Sequence, residues 1–579
     1  MRSLFVFVIL SLWLYALPQV INEEIRRSGI SKKDISIYIK EAGQNGKLIA
    51  SLNAYKSRTP ASVIKVFTTY ASVLKLGFDY RWPTKFYTTG NLQNGVLQGD
   101  LLIQGFGDPT LNAEDLEQIV SEIRAKGIRD IRGDIVIDRS YFEVGDKDSS
   151  GFDKNLYSAY NAMPDAMMFN ERVVTVCVIP KEKRVQKKHV DESYKVLDRL
   201  EHVNRPCRGK YSWPKVKIDK SEVIPTVVLK GKISERCGQR NICKVVTKPY
   251  KSFYYALKEE LKEEGIAVRG TLKLQNIPRN ATMLFTHYSE PLEEIISETA
   301  KESNNLYARH LLLLLGAKLH GAPATVQKGR DAIVEILKTK GVLGKGNLRV
   351  DNGSGLSRTS RINAKLLAQM YDNAYDRYGY RWMETLSIAG IDGTIKERLN
   401  HTAVKKRAWM KTGTLKRVKN IGGYVKNRAG KFYTVVILIN SSKAKYRGAK
   451  LQDEIIEWLA KSSVKPSRSS RAPSTSNRVR PKKPAAEKLF RNVKTKAVPA
   501  MKLETKQSTV MYYIQVGAFS AMPNKAYLSE IEALGLRYKV HHRDNYKVLI
   551  GAYQDEENAR EVLKKVRRDI NGGAFIVKL

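Results

Sequence analysis

The sequence predicts a multidomain α+β protein: an antiparallel sheet with helices carries inserted β-rich domains and is followed by a basic linker and a C-terminal βαββαβ domain. Three observations lead there. The 579 residues exceed what one hydrophobic core usually supports. Strand and helix periodicities over residues 35–77 resume only near residue 291, with short strands and turns between them. From about Lys461 to Ser508 the composition shifts to Ser, Pro, Lys and Arg with few large apolar residues, the mark of a solvated, self-repelling tether.

The chain begins with Met1-Arg2, an apolar run over 4–15 and a small residue at Ala16. That pattern predicts a secretory signal peptide over 1–16, with a single membrane anchor as the alternative. Residues 35–39 and 47–52 alternate in strand fashion, and Thr59-Pro60 opens a helical stretch ending at Gly77. Residues 17–79 and 281–460 are expected to form one domain. Between them, 80–280 read as inserted β-rich domains with few long helices, as at 101–105, 135–138 and 173–179. Helical patterning returns over 291–315 and 325–339, with Leu311 to Leu315 on one face of a core helix. A hairpin over 421–440 and an amphipathic segment over 450–460 close the first folded region. After the linker of 461–509, residues 510–579 give a strand at 512–519, a helix at 525–534 and strands at 538–540 and 546–553. A helix at 556–567 and a strand at 574–579 complete a split βαβ order.

A net charge of +43 points to an acidic or polyanionic neighbourhood: nucleic acid, anionic lipid or a carboxylate-rich cell wall. Charge does not choose among them, but export argues against nucleic acid. No second hydrophobic stretch is long enough to cross a bilayer. Cys177, Cys207, Cys237 and Cys243 suit an oxidising compartment with one or two disulfides of unreadable connectivity, or remain buried thiols. Their spacing lacks zinc-site form, and no metal or cofactor is assigned.

The candidate chemistry starts at Ser62-Val63-Ile64-Lys65, which places a hydroxyl and an amine on one helix face, where a desolvated lysine could deprotonate the serine. The spacing alone is weak, because Ser72/Lys75, Ser442/Lys445 and Ser462/Lys465 repeat it. Ser62 stands apart by following Pro60 at a helix start, where unpaired backbone N–H groups favour a developing oxyanion. Ser303-Asn304-Asn305, in a helical region, and Lys411-Thr412-Gly413-Thr414 follow in order. This trio of Ser-x-x-Lys, Ser-x-Asn and Lys-Thr-Gly is that of penicillin-binding proteins and class A β-lactamases, except that Asn304 stands where Asp is usual. Ser303 would return the proton to the departing amine, Asn305 would hold the substrate amide, and Lys411 with Thr412 would grip a substrate carboxylate. Gly413 would let the substrate backbone approach an edge strand, and the N–H groups of Thr414 and Ser62 would form the oxyanion hole. Taken singly, each has a bland alternative in ordinary packing or solvation; their joint occurrence carries the inference.

On these residues the chain resembles the class C low-molecular-mass penicillin-binding proteins, the D-alanyl-D-alanine carboxypeptidase/endopeptidase family. Three further stretches look like family signatures: Gly105-Phe106-Gly107-Asp108-Pro109-Thr110, Asp351-Asn352-Gly353-Ser354-Gly355-Leu356-Ser357-Arg358 and Ala389-Gly390-Ile391-Asp392-Gly393-Thr394. The resemblance implies a transpeptidase-like domain with two inserted domains. It also implies a cofactor-free, penicillin-sensitive enzyme that trims terminal D-alanine or cuts D-alanyl crosslinks in peptidoglycan. The stretch 133–170 departs in detail, and Tyr157, Tyr160 and Asn170 are candidates there for the substrate pocket. Tyr513-Ile514-Gln515-Val516-Gly517-Ala518-Phe519 and Tyr546-Lys547-Val548-Leu549-Ile550-Gly551-Ala552-Tyr553 look like a SPOR domain. That resemblance implies binding to denuded glycan strands at division septa, with Gln515 and Tyr546 as expected contacts and Ile514 and Val516 in the core. A basic sheet with aromatics also resembles the RNA platform of ferredoxin-like modules.

The expected protein is thus a periplasmic DD-carboxypeptidase/endopeptidase whose inhibitors are β-lactams and whose neighbours include possible division-site proteins. A catalytically degenerate, peptidoglycan-binding division factor is the alternative from another class. A β-lactamase would need a carboxylate base that the sequence does not supply.

Overall fold

The segment Phe432–Asn440 is apolar at nearly every position because both faces of its strand are buried. Tyr433, Val435, Ile437 and Ile439 point into one core, and Phe432, Val436 and Leu438 into another. This strand lies inside a six-stranded antiparallel sheet of order Ser387–Ile388, Ala408–Leu415, Val418–Lys426, Phe432–Asn440, Ile35–Glu41 and Leu48–Leu52. Helices Gln19–Ser28 and Ala444–Lys461 cover one face through Ile21, Ile25, Leu451, Ile455 and Leu459. Helices Lys65–Leu76, Asn305–His320, Val326–Thr339 and Ala364–Tyr378 build the core on the other.

The computed structural model describes residues 17–145, 152–343 and 348–462. Toward the C-terminus it describes 512–519, 538–542, 546–553, 556–570 and 574–578, with a few residues between 523 and 536. The expected signal peptide and all but the first two residues of the expected linker lie outside the described residues. Among the described residues no helix is long and apolar enough to cross a membrane.

Leu311 to Leu315 were expected on one face of a helix, but the helix is buried all round, from Leu306 to Ala317. Each of its leucines contributes roughly 1.5–3 kcal/mol relative to exposure. Close helix packing makes this possible: a Cβ on Gly316 would sit 2.8 Å from the Gly329 nitrogen of the adjacent helix.

The inserted region departs from expectation in two ways. It carries two long helices, Ala113–Ala125 and Pro249–Glu263, which share one core. It also extends past residue 280, because Thr282–Tyr288 pairs with Pro83–Thr88 at the edge of a five-stranded sheet. A four-stranded and two three-stranded sheets make up the rest. Cys207 and Cys237 form a disulfide, whereas Cys177 and Cys243 are free.

The C-terminal unit is a four-stranded sheet of order Tyr538–His542, Tyr546–Tyr553, Tyr512–Phe519 and Phe575–Lys578, with the helix Glu556–Asp569. Of the helix expected over 525–534, Tyr527, Leu528 and Ile531 are helical and pack in the core.

Candidate active site

Ser62 lies in a 3₁₀ turn, Ala61–Ile64, that runs directly into the helix Lys65–Leu76. The residue before it, Ala61, has φ +49°, a left-handed conformation that a non-glycine residue adopts only under constraint. The constraint comes from two distant segments. Asn420, fully buried on the sheet, donates its side-chain amide to the carbonyls of Thr59 at 2.9 Å and Pro60 at 2.8 Å. Gly355, at φ +80°, packs so closely that a Cβ there would lie 2.0 Å from the Ala61 carbonyl oxygen.

Lys65 is fully buried one turn further on. Its Nζ lies 3.1 Å from Ser62 Oγ and 2.7 Å from Asn305 Oδ1, and it donates to the Ser354 carbonyl. Burial, with repulsion from Lys411 and Arg309, holds its pKa well below the ordinary lysine range.

Ser303, Asn304 and Asn305 were expected in a helical region; Asn305 does open the helix Asn305–His320, whereas Ser303 lies in a turn at φ +61° between it and the helix Leu292–Lys301. The reason is local: Asn304 caps the second helix, and its Oδ1 accepts from the N–H groups of Leu306 and Tyr307. The turn delivers Ser303 Oγ to 3.0 Å from Lys411 Nζ. Lys411 is also fully buried, and burial pulls its pKa down to about 7 despite the nearby Glu302 carboxylate.

Lys411, Thr412, Gly413 and Thr414 occupy the strand Ala408–Leu415. Only Trp409 and Met410 pair with the short outer strand Ser387–Ile388, which leaves the outer edge of 411–415 without a strand partner among the described residues. An extended peptide could add there as a further strand. Gly413 faces the serine turn so closely that a Cβ would lie 2.8 Å from Pro60 O and 3.0 Å from Ser62 N. Thr412 Oγ1 is 2.8 Å from Thr394 Oγ1, and Thr414 is exposed, its hydroxyl accepting from Lys419 at 3.3 Å. Ser62, Lys65, Ser303, Asn305 and Lys411 to Thr414 therefore meet, although they come from three segments separated by more than a hundred residues.

Several neighbours had not been singled out individually. Arg309 is buried beside Lys65, Ser354 supplies a carbonyl, and Asn420 ties the serine turn to the sheet. The signature-like stretches 351–358 and 389–394 support Lys65 through the Ser354 carbonyl and Thr412 through the Thr394 hydroxyl. Of the pocket candidates, Tyr160 contributes its carbonyl, which accepts from Asn305 Nδ2 at 3.2 Å. Tyr157 lies under Lys220, and Asn170 caps the helix Ala113–Ala125 by accepting from Ala113 N.

In the C-terminal unit Ile514 and Val516 are buried, as expected, and Gln515 between them is half-exposed. Gln515 pairs across the sheet with Phe575, an exposed aromatic, while Lys539 lies 3.9 Å over the ring of Tyr513. Tyr546 begins its strand, but its side chain is outside the described residues.

The profile of the D-Ala-D-Ala carboxypeptidase 3 (S13) family matches residues 17–462, and the SPOR domain matches 508–578. The chain is 27% identical to the D-alanyl-D-alanine carboxypeptidase DacB of Haemophilus influenzae, over 74% of this chain and 90% of that protein. It is 28% identical to the D-alanyl-D-alanine carboxypeptidase of Actinomadura sp., over 72% and 79%. The crystal structure of penicillin binding protein 4 (dacB) from Haemophilus influenzae superposes with a TM-score of 0.65 at 25% identity, covering 76% of this chain and 99% of that one.

Proposed function

The chain belongs to the D-Ala-D-Ala carboxypeptidase 3 (S13) family and is a peptidoglycan-acting serine carboxypeptidase with a SPOR domain; from that premise we propose that Ser62 is its nucleophile and that it also cuts D-alanyl crosslinks. Neutral Lys65 takes the Ser62 proton as Oγ attacks the carbonyl of the penultimate D-alanine. The N–H groups of Ser62 and Thr414 hold the oxyanion, and Ser303 passes a proton to the departing amine. Water then attacks the ester, freeing the shortened peptide and Ser62. Lys411 and Thr412 grip the carboxylate of the leaving D-alanine, and β-lactams acylate Ser62 in place of substrate. The observation that supports this most is the convergence of Ser62, Lys65, Ser303 and Lys411 on one edge of the sheet.

The signal peptide would place the enzyme in the periplasm. The SPOR sheet, through Gln515 and Tyr546, would concentrate it on denuded glycan at the septum, raising its effective concentration there. Incubated with purified wall sacculi, the enzyme is expected to convert pentapeptides to tetrapeptides and to lower the crosslinked dimers, both read by chromatography. Unchanged pentapeptides and dimers would instead favour a wall-binding factor without activity; loss of pentapeptides alone would remove the endopeptidase part.

A pH profile probes the two lysines. As pH rises, Lys65 must lose its proton to act as base, whereas Lys411 must keep its own to bind a carboxylate. With Lys411 near 7 in the free enzyme, kcat/KM for a D-Ala-D-Ala peptide should climb well below the ordinary lysine range and descend through about pH 7. Lys411→Arg should move the descending limb upward, because guanidinium stays charged. A limb that stays put would remove Lys411 from carboxylate binding.

A further inference from the structure

Asn304 stands where the related motif carries Asp, and the structure gives a physical reason. Its Oδ1 is committed to the helix cap, at 3.0 Å from Leu306 N and 3.2 Å from Tyr307 N. The Nδ2 end therefore faces away from the helix, and there it meets carboxylates: both oxygens of Glu171 and Oε1 of Glu298, each at 3.4 Å. Asp would cap as well, but it would set a third carboxylate against two others. Asn serves because its amide accepts on one side and donates on the other.

Glu171 comes from the inserted region, and its backbone is unusual. Asn170, Glu171 and Arg172 have φ of +45°, +50° and +60°, three successive left-handed residues, none of them glycine. Asn170 anchors the turn by capping Ala113 N at 3.1 Å and donating its N–H to the Leu111 carbonyl, and buried Arg172 donates to the Met163 carbonyl. The Glu171 carboxylate also takes a hydrogen bond from the Tyr307 hydroxyl. An inserted region that served only as a spacer would not need a constrained turn aimed at the residue between Ser303 and Asn305.

We propose that Glu171 is a positioning residue: by holding the Asn304 amide it fixes the left-handed turn that brings Ser303 to Lys411 and Asn305 to Lys65, so the catalytic arrangement is incomplete without the inserted region. This rests on the roles proposed above for Ser62, Lys65 and Ser303. It also assigns the inserted region a part in the chemistry, through the same segment whose Tyr160 carbonyl orients Asn305.

The test is a reciprocal exchange in the full-length enzyme, read as the second-order rate of acylation by a fluorescent penicillin, with thermal unfolding followed in parallel. Glu171→Ala and Asn304→Asp should each acylate at least tenfold more slowly. Glu171→Gln, whose amide oxygen can still accept, should stay within about threefold of wild type. The double variant Glu171→Gln/Asn304→Asp restores the amide–carboxylate pair and the wild-type charge, and it should recover most of what Asn304→Asp loses. With a peptide substrate Glu171→Ala and Asn304→Asp should lower kcat and leave KM within about twofold. Wild-type acylation in Glu171→Ala would overturn the proposal, as would a double variant no faster than Asn304→Asp, whether or not Glu171→Ala folds. A wild-type enzyme that takes no label, or a Ser62→Ala variant that keeps it, would instead sink the parent assignment.

Discussion

Purified enzyme carrying Ser62→Ala is expected to take no covalent label from a fluorescent penicillin, while Ser72→Ala labels like the wild type. The Ser-x-x-Lys spacing occurs five times in this chain, at Ser62, Ser72, Ser212, Ser442 and Ser462, and the surroundings separate the copies. Ser212 donates its hydroxyl to the Gly209 carbonyl at 2.7 Å, and its partner Lys215 is exposed. Ser72 is fully buried with its hydroxyl donating to the Thr68 carbonyl at 3.0 Å, and its partner Lys75 is exposed to water. Ser442 and Lys445 are both exposed, and Ser462 accepts from the Asn427 amide. Among the described residues only Ser62 combines a left-handed residue before it, a buried amine at 3.1 Å and a glycine-lined edge strand against its own N–H. Without the Oγ no ester can form, so acylation should fall by about ten-thousandfold or more, as for other nucleophile deletions. Label retained on Ser62→Ala would end the assignment of this serine.

What the sequence made legible follows from what kind of signal each feature leaves. The three motifs could be read because their residue types are rare in combination and their order is fixed by the chain. Within the second motif only the turn at Ser303 departs from the expected helical region, because Asn304 caps the helix that starts at Asn305. The two long helices of the inserted region were missed although local signals existed. Asn112 and Asp115 form a reciprocal capping box, Leu116, Ile119, Val120 and Ile123 follow at helical spacing, and Pro249 stands at the first position of the second helix. Strand-like runs on either side dominate the pattern there.

Other features left no local signal. Asn420 falls one residue before the expected hairpin of 421–440; its part in holding the Thr59 and Pro60 carbonyls exists only once the sheet has paired. The Cys207–Cys237 pairing was one of several open connectivities. Arg309 is buried because carbonyls of Tyr160 and Ala162, contributed by the inserted region, accept from it, a pairing that exists only in the folded chain. In the C-terminal unit strand alternation placed Ile514, Gln515 and Val516, yet exposed Phe575 opposite Gln515 escaped notice because it follows from strand register alone.

Lys65→Met should slow acylation by about a hundred- to ten-thousandfold, the range that a positioned general base contributes, without unfolding the protein. The case rests on hydrogen-bond capacity. A neutral amine has two donors and one lone pair, and the three contacts of Lys65 match: it can donate to Asn305 Oδ1 and the Ser354 carbonyl and accept from the Ser62 hydroxyl. An ammonium would have to donate to all three and could take no proton. Complete burial and the cations Lys411 and Arg309 already disfavour that form. Methionine fills much the same volume without the lone pair, so the loss would report the base rather than the packing. Lys65→Arg separates charge from basicity, since guanidinium cannot be deprotonated at working pH and should be as slow as methionine. Stopped-flow acylation of both variants, with thermal unfolding alongside, gives the comparison. If the arginine variant acylated within tenfold of wild type, a fixed positive charge would suffice at residue 65, and proton transfer from Ser62 would have to be assigned to another group.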